Sequence, residues 1–160
     1  MMIRKGTLND IEAIQEISKI TWAVTYDFLP KEQIEYMLEW MYSSESLKNQ
    51  ILQGHQFFIA EINEQSIGFA SVSAEKNYVY KLNKLYVLPH IQKTGAGKAL
   101  LKEVIFHVKN KGGTELQLQV NRNNSAKEFY LKNEFKVLFE ADFEIGNGFF
   151  MNDYVMSLQL

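Results

Sequence analysis

The sequence predicts an α+β domain built on a mixed, largely antiparallel sheet flanked by helices. Three observations carry the prediction. Apolar residues recur at helical spacing in the first third of the chain and switch to strand alternation from Gln56 onward. Phe57 to Leu88 then reads as three strands joined by short polar turns, which suits antiparallel pairing. After that, helical patterns interleave with the remaining strands, which makes the sheet mixed. A chain of 160 residues suffices for one domain with a sizeable core, so residues 1–160 are read as a single domain.

Ile3 and Arg4 predict a short edge strand. Thr7-Leu8-Asn9-Asp10 reads as a capping box, with Asp in the place of Glu, ahead of a helix whose Ile11, Ile14, Ile17 and Ile20 make a slowly rotating apolar face. Thr21 to Leu29 is aromatic and reads as irregular. Pro30 opens a second helix with Ile34, Met37, Leu38 and Met41 as its inner stripe. A third helical piece, Glu45 to Gln53, ends at Gly54. Phe57 to Ile62 and Ile67 to Val72 form a hairpin about Asn63-Glu64, and Lys76-Asn77 turns the chain into Tyr78 to Leu88. Leu100, Leu101, Val104, Ile105 and Val108 mark an amphipathic helix stopped by Gly112-Gly113. Glu115 to Val120 is a further strand, and Asn123 or Asn124 caps a short helix through Lys132. Phe135 to Ile145 and Phe149 to Leu158 close the chain as a hairpin about Gly146-Asn147-Gly148.

The informative stretch is Gln92-Lys93-Thr94-Gly95-Ala96-Gly97-Lys98, between an apolar strand and a helix start. Glycines let the backbone approach a ligand, and a helix start aims free N–H groups and a positive dipole end at it. This predicts an anion site, most simply for a phosphate. A nucleotide-binding loop of the Walker type requires glycine at Gln92 and Ser or Thr at Ala99, and a dinucleotide fingerprint requires glycine at Leu100, so neither fits.

Composition narrows the function classes. Apolar residues make up 46% and the formal charge is −2 without a long basic run, which argues for a globular chain and against nucleic acid as partner. There is no cysteine, hence no disulfide, thiolate metal site or cysteine nucleophile. No apolar stretch spans a membrane, and no signal-type segment follows Met1-Met2-Ile3-Arg4-Lys5, so the expectation is a soluble cytoplasmic protein. No His/Asp/Glu spacing suggests a metal.

Gln92-x-x-Gly95-x-Gly97 resembles the pyrophosphate loop of the GNAT family of N-acetyltransferases, whose signature is Arg/Gln-x-x-Gly-x-Gly/Ala. Asn123-x-x-Ala126-x-x-Phe129-Tyr130-x-Lys132-x-x-Phe135 is similar to a second stretch of that family, Asn-x-x-Ala-x-x-x-Tyr-x-Lys-x-Gly-Phe. The family's glycine is Glu134 here, so the turn after Lys132 is expected to be made differently. Asp153 to Leu158 and Thr21 to Tyr26 resemble the subgroup of PaiA-type polyamine acetyltransferases.

The resemblance implies acetyl-CoA as cosubstrate and direct attack by a neutral amine, without a covalent acyl-enzyme. It implies that the strand at Leu82 to Leu88 splays from the strand at Leu116 to Val120 and admits pantetheine as an added strand. Backbone groups of Tyr86, Val87 and Leu88 then hold the pantetheine, with an N–H near Val87 on the thioester carbonyl. The pyrophosphate is held by the loop of Gln92, Lys93, Thr94, Gly95, Ala96, Gly97 and Lys98, and Asn123 contacts the cofactor. Tyr130 is implied as general acid for the departing thiolate.

The acceptor implied is a small-molecule primary amine such as a polyamine, attacked in its neutral form, so that activity rises with pH until the amine or its base is deprotonated. Trp22, Tyr26 and Asp27, with Glu35, Glu39 and Trp40 nearby, are candidates to bind it by charge and cation–π contact. The general base stays open among Glu75, Tyr80, a water relay, His55 and His90, because the family's glutamate falls on Lys81; His107 reads as structural. Transfer to a protein or peptide amine, and a CoA-binding sensor without turnover, stay open as alternatives, as does a homodimer.

Overall fold

The computed structural model describes residues 1–160. Seven strands form one sheet: β1 (Met2–Lys5), β2 (Gln56–Ile62), β3 (Gln65–Ala74), β4 (Val79–Val87), β5 (Glu115–Asn121), β6 (Lys136–Gly146) and β7 (Phe149–Gln159). Their spatial order is β1-β2-β3-β4-β5-β7-β6, and every neighbouring pair is antiparallel except β4–β5. Three helices, α1 (Ile11–Thr25), α2 (Lys31–Tyr42) and α3 (Ser44–Leu52), pack on one face of the sheet, and α4 (Ala96–Asn110) packs on the other. A short α5 (Ala126–Lys132) joins β5 to the closing hairpin. No helix is long and apolar enough to cross a membrane.

Strand alternation sends successive side chains to two separate cores. Phe58, Ala60, Val72, Leu82, Leu116, Leu118 and Met156 meet Leu100, Leu101, Val104 and Val108 of α4. Phe57, Ile59, Phe69 and Met151 meet Ile14, Ile17, Trp22, Met37 and Leu47 of the first three helices.

The local signals resolve as expected at the capping box and at the turns. Thr7 N–H donates to Asp10 Oδ2 at 2.8 Å and Asn9 N–H to Thr7 Oγ1 at 3.2 Å. Asn63 and Glu64 both have positive φ (51° and 67°), as a two-residue hairpin turn demands. Three readings are corrected. Thr21 to Thr25 continue α1 instead of forming an irregular segment, since no breaker precedes Pro30 and Thr21 Oγ1 bonds back to Ile17 O at 2.8 Å. Ile20 is 46% exposed, because a three-residue spacing drifts off a 3.6-residue stripe; Ser18, Thr21 and Trp22 take the inner face. The turn after α5 is not rebuilt: Glu134 itself adopts the left-handed conformation (φ 72°) at the family's glycine position.

Candidate functional site

β4 and β5 pair only from Val79↔Glu115 to Leu82↔Leu118. Immediately afterwards β4 carries an extra residue. Leu82 opposes Val72 and Lys84 opposes Ser71, leaving Asn83 without a partner on β3. Such a bulge bends its strand and increases its twist, and it falls where the parallel pairing is lost. Asn83 Nδ2 donates to Ser73 Oγ at 2.9 Å, which holds the bulge. The strands diverge into a cleft of about 670 Å³.

The glycine loop closes one end of this cleft. Lys93 (φ 68°) and Gly95 (φ 91°) are left-handed, and the backbone N–H groups from Lys93 to Lys98 donate to no protein acceptor. Alternating backbone of this kind turns successive N–H groups toward a common point, and the start of α4 adds its dipole. A Cβ on Gly95 meets nothing within 4 Å, and one on Gly97 meets only the Phe129 ring at 3.6 Å. The bare backbone of Gly97 therefore faces cleft space, which fits a bound anion. Gln92, Lys93, Gly95, Gly97 and Lys98 line the cleft. Thr94 and Ala96 do not: Thr94 Oγ1 donates to Ile91 O at 2.6 Å, and Ala96 is buried in the α4 core.

Along the β4 wall, Leu88 N–H is already bonded to Ile67 O at 2.9 Å, and Tyr86 pairs with Phe69. Alternation turns the backbone of Val87 toward the gap, where its carbonyl accepts from Gln92 Nε2 at 3.1 Å. Tyr86 and Val87 border the cleft and Leu88 does not. On the β5 side, Asn123 borders the cleft, its N–H held by Asn121 Oδ1 at 2.9 Å, and Asn124 Oδ1 caps the first turn of α5 through Ala126 N–H at 2.9 Å.

Tyr130 of α5 reaches the cleft from this side. Its ring lies against Phe129 and Phe135, with centroids 5.3 and 5.5 Å away. Its hydroxyl makes no hydrogen bond within the protein and stays open to the cleft. Burial pushes this phenol well above its ordinary value, so it stays protonated at neutral pH.

The candidates for the acceptor side separate. Tyr26 and Asp27 border the cleft, and Tyr26 Oη shares a 3.0 Å hydrogen bond with Tyr86 Oη. Trp22 is 2% exposed, its ring tilted against Tyr26 with centroids 4.3 Å apart, and it lies outside the cleft wall. Glu35, Glu39 and Trp40 lie on the exposed side of α2, where Glu35 meets Lys31 at 3.9 Å and Trp40 stacks on Tyr36. Glu75 and Lys81 border a second, smaller groove beside β5. No group of three or more His, Asp or Glu side chains is placed to hold a metal ion.

Two buried charged residues, Lys84 in the cleft wall and Asp153 behind it on β7, were not singled out from the sequence. Lys84 borders the cleft although its side chain is buried, with Nζ donating to Gln50 Oε1 at 3.0 Å over the Tyr42 ring. Asp153 sits on the inner face of β7, and its Oδ1 has no partner. Both interrupt apolar alternation at inward positions, the signal by which they are legible in hindsight.

The acetyltransferase (GNAT) domain family matches residues 27–158. The spermidine N(1)-acetyltransferase of Thermoplasma acidophilum is 35% identical over 144 residues, 84% of this chain and 88% of that protein. The crystal structure of the PaiA N-acetyltransferase from Thermoplasma acidophilum in complex with coenzyme A superposes with a TM-score of 0.84 at 30% identity, covering all of both chains. The ribosomal protein bS18-alanine N-acetyltransferase of Haemophilus influenzae is 35% identical over 103 residues, 63% of this chain and 67% of that one.

Proposed function

The chain belongs to the GNAT family and is an acetyl-CoA-dependent N-acetyltransferase; from that premise we propose that it acetylates a primary amine of a small cationic molecule, of which spermidine is the model. The observation that carries the acetyl-CoA side of the reading is the cradle of unpartnered N–H groups at the mouth of a splayed strand pair. The acceptor class is supported by the relative from Thermoplasma acidophilum and by the anionic, aromatic lip formed by Tyr26, Asp27 and Phe28.

Acetyl-CoA supplies an activated thioester carbonyl, so the chain needs no nucleophile of its own, consistent with its lack of cysteine. Lys93 to Lys98 hold the diphosphate through main-chain N–H groups, and the side chains of Lys93 and Lys98 add positive charge at the rim. Asn83 to Val87 and Gln119 to Asn121 offer unpaired strand edges to the pantetheine amides. Tyr130 Oη gives its proton as negative charge gathers on sulfur; an ordinary phenol (~10) already stands above a thiol (~8.5) and burial raises this one further, so it is not ionised at rest.

A second reading, transfer to the N-terminal amine of a protein, draws support from the relative in Haemophilus influenzae. Thiol release from acetyl-CoA across polyamines, simple alkylamines and an alanine-initiated peptide separates the two. Preferred turnover of spermidine supports the small-amine reading, and a strongly preferred peptide replaces it. CoA binding without turnover of any amine overturns both in favour of a sensor.

A further inference from the structure

Along β7, Asp153 alternates with Met151 and Val155, which are buried on the face that α1 and α2 cover. It is 5% exposed, its side chain makes no hydrogen bond or ion pair, and Oδ1 is sealed without a partner. An unpaired carboxylate in such a place costs stability, so its presence calls for a ligand.

The charged and titratable groups that feel it define the side it faces. Tyr26, at the end of α1 and in the cleft wall, has its phenol raised first by burial, and the Asp153 charge adds to that rise. Lys81 on β4 and Arg122 at the end of β5 both act on Asp153 in the opposite direction. Neither forms an ion pair with it. Arg122 is committed to Asp142 and Glu140, the residues flanking the cross-strand partner Ala141 on β6. The carboxylate therefore lies beside the splay on the face opposite α4. A ligand seated on the glycine loop comes from the α4 end, and on the other face the cleft wall is Tyr26, the phenol that feels the Asp153 charge.

We propose that Asp153 receives the acceptor as its ammonium ion and takes the proton that must leave before nitrogen can attack. The proposal rests on the amine-acetylation reading above. The nitrogen lone pair then forms the N–C bond, and the C–S bond breaks with its electron pair going to sulfur. Tyr130 protonates sulfur, the second nitrogen proton replaces the one Tyr130 gave, and one proton per turnover leaves from Asp153. Burial holds the Asp153 carboxyl up at about 6, against the pull of Lys81 and Arg122, which suits a base working near neutrality.

The test is the pH dependence of kcat/KM for thiol release with spermidine, or with the alanine peptide if that is what turns over. The unmodified chain should rise through about pH 6 and then level off. Asp153→Asn keeps the shape of the side chain and should lose about 10²-fold or more at pH 7. Its profile should climb without a plateau toward the alkylamine value of ~10.4, while CoA affinity by calorimetry stays within about twofold, an allowance for a residue outside the cradle. A variant that keeps the plateau at full rate, or that loses CoA affinity in parallel, overturns the proposal. Lys81→Met leaves Asp153 in place and decides the matter if the Asn variant does not fold: the acidic limb should move to higher pH, and an unmoved limb refutes the assignment. No transfer to any amine by the unmodified chain would instead overturn the amine-acetylation reading itself.

Discussion

Replacing Lys84 by Met should stabilise the protein, and the gain should vanish at high pH. Lys84 is 7% exposed, its ammonium has one hydrogen-bond acceptor, Gln50 Oε1, and no carboxylate pairs with it. Burial, aided by the charge of Lys81, lowers it from an ordinary 10.5 to about 8. At 1.36 kcal/mol per pKa unit that difference corresponds to about 3 kcal/mol. The folded state disfavours the proton, so the unfolded chain binds more of it between pH 8 and 10.5. Stability from this group accordingly rises with pH through that window and is fully penalised below it. Met fills a similar volume without charge and forfeits the Gln50 bond, worth about 1 kcal/mol. The net gain at pH 7 should be about 2 kcal/mol, roughly 4–8 °C in Tm for a chain of this length. Urea unfolding of both chains at pH 7 and about pH 10.5 reads the effect. Subtracting the variant removes every titration the two share, tyrosines included. The unmodified chain should recover about 3 kcal/mol relative to the variant across the range. Parallel curves, or a variant less stable at pH 7, would refute the reasoning.

Three further outcomes are expected. Gly97→Asp should abolish CoA binding in calorimetry yet keep or raise Tm, because its side chain enters open cleft space and an acid in the first turn of α4 suits the helix dipole; unchanged CoA affinity would remove the cradle from its role. Tyr130→Phe retains the ring contacts with Phe129 and Phe135 and should lower kcat by about 10²-fold. That loss should shrink for acyl donors with a more acidic thiol, and an equal loss for all donors would indicate positioning. Glu134→Gly relieves a left-handed residue (φ 72°) and should add about 0.5–1 kcal/mol in urea unfolding; destabilisation would mean that the Glu134 side chain supports the turn.

The local features of this protein were readable because their causes are local. A capping box, a two-residue turn at Asn63-Glu64, a glycine-rich start to α4 and the change from helical to strand period depend on residues within a few positions of one another. From these followed the α+β class and the mixed sheet, while the splayed strand pair was implied by the family resemblance that the Gln92 to Gly97 and Asn123 to Phe135 motifs carry. Tertiary structure alone decided what depends on distant partners. The bulge at Asn83 arises from register against β3, since nothing near Asn83 marks an extra residue. Trp22 read as a surface for ligands and is core, because Tyr42 and Tyr86 close over it. Lys84 is buried by Tyr42 and Gln50, more than thirty residues away in the chain, and Asp153 is set beside Tyr26 and Lys81 by strand order. A side chain's charge state is fixed by the solvent and charges it loses or meets on folding, and those are supplied by residues that sequence neighbourhood does not reveal.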